Sequence, residues 1–269
     1  GSLSINMGVN KIVTLPRANS YTGLTTVMNG ALRLSSGSAT GTVDQGVIVE
    51  AGAQLQLEGN VNFGAEPLTL NAGPGDALLN VGGDNTWEGP VTLAGGAAVI
   101  NTSAGLLEIT GVIGGDFGLI KKGAGSLMLF GANTFTGAVN VDEGSLILFN
   151  NTATGTVGGG VTVAAGASLE LRDGVDIGAE PLTLNGDGVG NQLRSTLLVN
   201  TWGGQVTMVG AAVGIETLGG DLIINGVISD SGGGFKKVGA ETLTLAGANT
   251  FTGPMNINEG IVILRNNAA

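Results

Sequence analysis

Apolar and polar residues alternate in short bursts along this chain, and the bursts come in pairs hinged on glycine. LTTVMNGALRL from Leu24, VIVEAGAQLQL from Val47, VNVDEGSLILF from Val139, VTVAAGASLEL from Val161 and MNINEGIVILR from Met255 share the pattern. A period of two puts one set of side chains inward and the other outward, which is the signature of a strand. Gly and Asn in the breaks supply the positive-φ corners that sharp turns need. The leading strands start at Leu24, Val47, Leu68 and Val91, in steps of 23, 21 and 23 residues. A turn of that length with two or three short strands predicts one coil of a parallel β-helix. No single coil can bury its apolar face, so the coils must stack to make a continuous Leu/Val/Ile core. The expected fold is therefore all-β, a parallel β-helix solenoid of about 11–12 coils of about 22–23 residues. A β-sandwich would space its strands at 8–12 residues, and a propeller blade would need a period of about 40–50. Neither is visible.

A longer repeat runs over the short one. GAEPLTLN occupies 64–71 and recurs at 178–185, while ANTFTG occupies 132–137 and recurs at 248–253, with a relative, ANSYTG, at 18–23. NTW recurs at Asn85 and Asn200, and GVIGGDFGLIKKGAGSLML from Gly111 answers to GVISDSGGGFKKVGAETLTL from Gly226. Five coils thus form a unit of about 115 residues. The expected organisation is one continuous β-helix over 1–269, with internal units near 18–131, 132–247 and a partial one at 248–269.

Composition narrows the chemistry. The 51 glycines among 269 residues exclude an all-helical protein, since each helical Gly costs about 1 kcal/mol relative to Ala. A 42% apolar share with only 12% charged residues argues against disorder. There is no His and no Cys. That removes the Ser-His-Asp and Cys-His nucleophile systems, the usual zinc and haem ligand sets, and any disulfide. The net charge of −11 repels phosphates, so nucleic acid is not an expected partner. No apolar run reaches the about 20 residues of a spanning helix, so no transmembrane segment is expected. The chain opens at Gly1-Ser2 without an initiator Met, as a mature or excised segment would.

The stretch from Gly118 to Phe149 resembles the passenger-associated strand repeat of bacterial autotransporters. The resemblance is carried by Lys121 or Lys122, Gly123, Gly125, Leu127, Leu129, Gly131, Asn133, Phe135 and Gly137, followed by Gly144, Leu146 and Leu148. Of the two lysines, Lys122 is taken as the motif position. A second copy, from Gly234 to Leu264, keeps Lys237, Gly239, Leu243, Leu245, Asn249, Phe251 and Gly253, and departs at Glu241 and Ile261. A partial copy over 18–34 holds Asn19, Tyr21 and Gly23. The resemblance implies a right-handed β-helix passenger, displayed at a bacterial surface and held to the outer membrane through another region of its parent.

Several features admit a sharper reading. The repeated Asn19, Asn133 and Asn249 are expected in turns, bonding neighbouring backbone. Tyr21, Phe135 and Phe251 are expected to plug a corner of the core rather than to form a sugar platform. GGDN at Gly82 and NGDGVGN at Asn185 lack the repeated cadence of a calcium roll. Glu170, Asp173, Asp176 and Glu180 fall on one coil near Arg172, the arrangement a β-helix lyase or glycosidase would use. Glu66 and Glu180 precede prolines inside the duplicated octapeptide and mark turns. No catalytic, cofactor or metal site is expected. The expected role is that of a structural and adhesive surface stalk, with a polysaccharide-binding or -degrading protein as the alternative. Expected partners are other copies of the chain or neighbouring repeats, joined end to end through unpaired strand edges, and host or surface glycans or proteins.

Overall fold

A computed structural model describes residues 1–42 and 45–266. Among them every regular element is a strand, each of two to six residues, and all ladders are parallel. There is no helix among these residues, and so none long and apolar enough to cross a membrane. The parallel strands stack as a β-solenoid of about 12 turns. They fall into two compact units, Gly1–Gly137 and Ala138–Ala269.

Each unit lays its strands on three faces, and in the first unit the third face carries regular strands only from Asp84 onward. In the first unit one sheet runs Leu3–Asn6, Thr25–Asn29, Val47–Val49, Leu68–Asn71, Val91–Ala94 and Ile113–Gly115. A second runs from Ile12–Leu15 to Leu119–Lys122, and a third holds Asp84–Trp87, Leu106–Ile109 and Ser126–Leu129. The second unit repeats the plan. Its first strands on the three faces are Val139–Val141, Ser145–Leu148 and Asp176–Ile177. The register matches the step read from the sequence: Val47 lies on Leu68, Leu68 on Val91, and Val91 on Ile113.

Since ladder partners are one turn apart, each inward residue sits on the inward residue of the turn before. Columns of like side chains result. In the first unit Leu32, Leu55, Leu78 and Ile100 form one column, and in the second Leu146, Leu169, Leu193 and Ile215 form its equivalent. All eight are fully buried. The fifth position breaks the pattern: Ile100 is followed by Lys121, and Ile215 by Lys237.

The repeated ANTFTG stretch changes the phase of the winding. It crosses the first face without a regular strand, yet the Thr250 amide donates to the Ile228 carbonyl at 2.9 Å, as a ladder residue would. In the first unit the amides of Thr134 and Thr136 do the same to Ile113 and Gly115. The next strand therefore lands one face further round. Met255–Ile257 answers in sequence to Val139–Val141, which begins the first sheet of the second unit, but it joins the second sheet by pairing with Phe235–Val238.

Column integrity is testable at Leu169, which is fully buried and has a column neighbour on either side. Leu169→Ala is expected to cost about 2–5 kcal/mol by loss of transfer energy and creation of a cavity. Alanine at Val157, which is 63% exposed, is expected to change stability by less than about 0.5 kcal/mol. Urea titration followed by circular dichroism checks both.

Candidate functional site

The charged groups inside the core come first, because a buried ammonium survives only when its donors are used. Lys121 and Lys237 are fully buried on inward positions of their strands. Lys237 Nζ donates to the carbonyls of Val238 at 2.9 Å, Gly239 at 2.6 Å and Glu259 at 3.3 Å. Lys121 Nζ donates to the carbonyls of Lys122 and Gly123 at 2.8 and 2.7 Å. Each lysine thus interrupts an aliphatic column and ties down the corner that follows its own strand. Lys121 is the residue equivalent to Lys237, while Lys122 points outward and is half-buried. Two adjacent lysines on an alternating strand face opposite ways, so the motif lysine is Lys121 rather than Lys122. Burial pulls the Lys237 ammonium below the ordinary lysine value, against the opposing pull of Glu241, Glu259 and Asp221.

The glycines after these lysines are required by geometry. Gly123 and Gly239 sit at φ +78 and +84, and a Cβ on either would lie 2.4 and 2.0 Å from a carbonyl oxygen of the preceding turn. Gly137 and Gly253 close the ANTFTG strip with a similar approach, 2.2 Å from the amide nitrogens of Gly118 and Gly234. Gly125 and Gly23 likewise lie on the backbone of Gly105 and Gly1.

Asn133 Oδ1 accepts the Ile113 amide at 2.8 Å, and Asn249 Oδ1 accepts that of Ile228 at the same distance. Each carboxamide thereby completes the ladder at the start of its strip. Asn19 instead donates to the carbonyls of Ala39 and Arg17. Phe135 is fully buried, whereas Phe251 is half-buried and meets Phe235 edge-on at 5.5 Å. Tyr21 is half-buried with its hydroxyl 2.7 Å from Thr25 Oγ1. Leu127, Leu129, Leu243 and Leu245 fill the third sheet's inner face.

A second repeated cluster is built on the NTW tripeptide, to which sequence reading gave no role. Trp87 and Trp202 are fully buried, and their indole N–H groups donate to the carbonyls of Glu66 and Glu180, both at 2.9 Å. Asn85 and Asn200 are also fully buried. Asn200 Oδ1 accepts from the Gly174 and Val175 amides, and its Nδ2 donates to Ser195 Oγ and to the Leu197 carbonyl. Asn85 does the same work with the Val61 amide, Asn80 Oδ1 and the Gly82 carbonyl. The recurrence of Asn in both copies, always just before the Trp, was the available signal.

The acidic candidates do not converge. The Glu170 side chain is buried under Arg172 Nε at 3.4 Å and Arg194 Nη1 at 3.2 Å, and it accepts from Thr196 Oγ1 at 2.6 Å. Arg194 Nε also reaches Glu216 at 2.6 Å, and the Arg172 guanidinium lies 5.8 Å above the Phe149 ring. Asp173 and Asp176 are exposed at the following corner. Glu180 turns away to accept the amides of Gly158 and Gly160, and burial raises its pKa despite those bonds. Asp187, in the NGDGVGN fragment, takes the amides of Val189 and Gly190, which lower its pKa and make the fragment a turn. Among the described residues no group of three or more acidic side chains could hold a metal ion.

Comparison with known proteins places these clusters. The model of the passenger-associated-transport-repeat family matches residues 12–34, 119–148 and 235–264; the last two hold the buried lysines and the ANTFTG strips, and the first holds the related ANSYTG. The chain carries this repeat three times. Passenger repeats of this kind also fit the wider similarity: the chain is 31% identical over 258 residues to the adhesin BmaC autotransporter of Brucella suis biovar 1 (strain 1330). That match covers 93% of this chain and 6% of the relative. No solved structure matches.

The passenger-repeat lysine can be tested directly. Lys237→Met leaves buried carbonyls without a donor, and each costs about 1–3 kcal/mol when orphaned, so a loss of that order is expected in urea titration. Because the folded-state pKa is depressed, the unfolded chain binds more protons as pH climbs towards 10.5. The lysine's contribution to stability therefore rises with pH in that window, and the variant lacks the slope.

Proposed function

We propose that this segment is a stalk and contact module of an autotransporter-like protein, displayed outside the cell and acting by presentation and adhesion rather than by turnover. The observation that carries this reading is the coincidence of three passenger repeats with similarity to an adhesin autotransporter over nearly the whole chain. The fold suits the role. Main-chain ladders join successive turns among the described residues, and with no Cys in the chain the winding is held without disulfides. Of the acidic side chains that an enzyme of this fold would use, Glu170 and Glu180 are bonded to separate partners and Asp173 and Asp176 are exposed, which disfavours a lyase or glycosidase. Joining to a neighbouring repeat or another copy belongs to the same reading: Met255–Ile257 and Ile261–Leu264 each have a ladder partner on one side, and Ile257, Ile261, Ile263 and Leu264 are exposed.

Microspheres coated with the purified segment provide the test, measured for retention under flow on cultured epithelial cells and extracellular matrix. Retention several-fold above albumin-coated spheres is expected, with no cleavage of neutral or acidic polysaccharides. Retention equal to albumin, or a cleavage activity abolished by Glu170→Gln, overturns the reading.

A further inference from the structure

The corner between Leu193–Thr196 and Asn200–Trp202 breaks two rules of stable surfaces at once. Leu197 and Leu198 stand at φ +54 and +53, in the left-handed region that residues with a Cβ avoid. They and Val199 are also 50%, 62% and 51% exposed. The sister corner of the first unit breaks neither rule. It reads Gly82, Gly83 and Asp84, with the left-handed φ at Gly83.

Packing does not explain the leucines. Gly219 and Gly220 of the next turn lie over their backbone, and a Cβ on Gly220 would come within 2.0 Å of the Leu198 carbonyl oxygen. Gly174 of the turn before leaves room on the other side, its Cβ position 3.6 Å from Leu198 Cδ1. The leucines therefore stand proud between two layers of glycine. Leu218, 52% exposed and paired with Thr196, extends the apolar patch by one turn. The conformation persists because the Asn200 carboxamide bonds to the Leu197 carbonyl on one side and the Gly174 and Val175 amides on the other. Strain held in place by a buried side chain points to use of the strained residues.

The surroundings are acidic. Asp173 and Asp176 are exposed on the preceding turn, and Asp221 is half-exposed on the following one. The nearby bases are occupied, Arg172 beside Glu170 and Lys237 inside the core. We propose that this corner docks a cationic, apolar-faced segment of a partner protein: Leu197, Leu198 and Val199 enter its apolar side, and the three aspartates meet its Lys/Arg rim. A second copy of this chain, at net charge −11, carries the wrong sign for that rim. A patch of four apolar side chains falls short of the about 1,200 Å² of a stable interface, so each contact is weak and reversible. The proposal adds a partner to the contact role above but does not need it, since a segment that fails on cells can still bind a peptide.

Fluorescence polarisation with a 14-residue amphipathic Leu/Lys peptide tests it on the whole chain. Binding that weakens with added salt is expected, reduced at least tenfold by Leu197→Gly with Leu198→Gly and several-fold by Asp173→Asn with Asp176→Asn. The double-glycine variant is also expected to melt higher, because glycine relieves the left-handed strain. If that variant loses its cooperative melt, Leu198→Asn is read instead, since Asn tolerates the same φ. The proposal fails if the peptide does not bind, if the glycine variant binds it equally, if a Leu/Glu peptide binds as well, or if removing the leucines lowers the melting temperature of a variant that still folds.

Discussion

Everything in this protein follows from the main-chain ladder between successive turns. Once residue i pairs with a residue about 22 positions on, side-chain choice is no longer local. Each inward position must suit the one beneath it and the one above it, and this produces the Leu-Leu-Leu-Ile columns. Each corner must return the chain to register within a few residues, which is why glycine is used so heavily. The hydrophobic effect supplies the driving force, but the ladder decides where that force can be applied.

The exceptions to the aliphatic rule are placed with the same regularity. A lysine interrupts the column in both units, and its ammonium takes the carbonyls of the corner that follows it. This is also where the regular first-face strand is replaced by the ANTFTG strip, so carbonyl direction and chain path are both unusual there. Asn133 and Asn249 answer the same need from the other side, each supplying an acceptor to a strand whose neighbour has no regular ladder. The family signature is therefore a description of how a solenoid changes phase without losing its hydrogen bonds.

Much of this was legible in the sequence, because stacking imposes like on like and repeats reveal it. The 21–23-residue step, the alternating pairs and the two long matches fixed the fold class and located the passenger motif. What escaped has identifiable causes. Lys121 and Lys122 are adjacent, and a slip of one residue on a strand exchanges inside for outside, so the motif lysine could not be assigned without the register. The run LLVN is apolar in sequence, yet buried Asn200 holds it in a corner, with bonds to the Leu197 carbonyl and the Gly174 and Val175 amides that only the fold brings together. Glu180 marked a turn, as expected, yet its carboxylate is spent on two backbone amides of another loop, a long-range bond with no sequence signal. The charged row of Glu170, Arg194 and Glu216 joins residues more than 20 positions apart and shows only once the ladder is known.

The phase change has a geometric consequence for any longer polypeptide made from such blocks. Within the second unit Met255–Ile257 repeats the sequence of Val139–Val141 on the neighbouring face. Equal positions in the repeat therefore do not return to equal azimuths, and a surface cannot be read from the sequence period alone. Adding or deleting one copy of the strip would re-aim the strands that follow it within a unit while leaving each local surface unchanged.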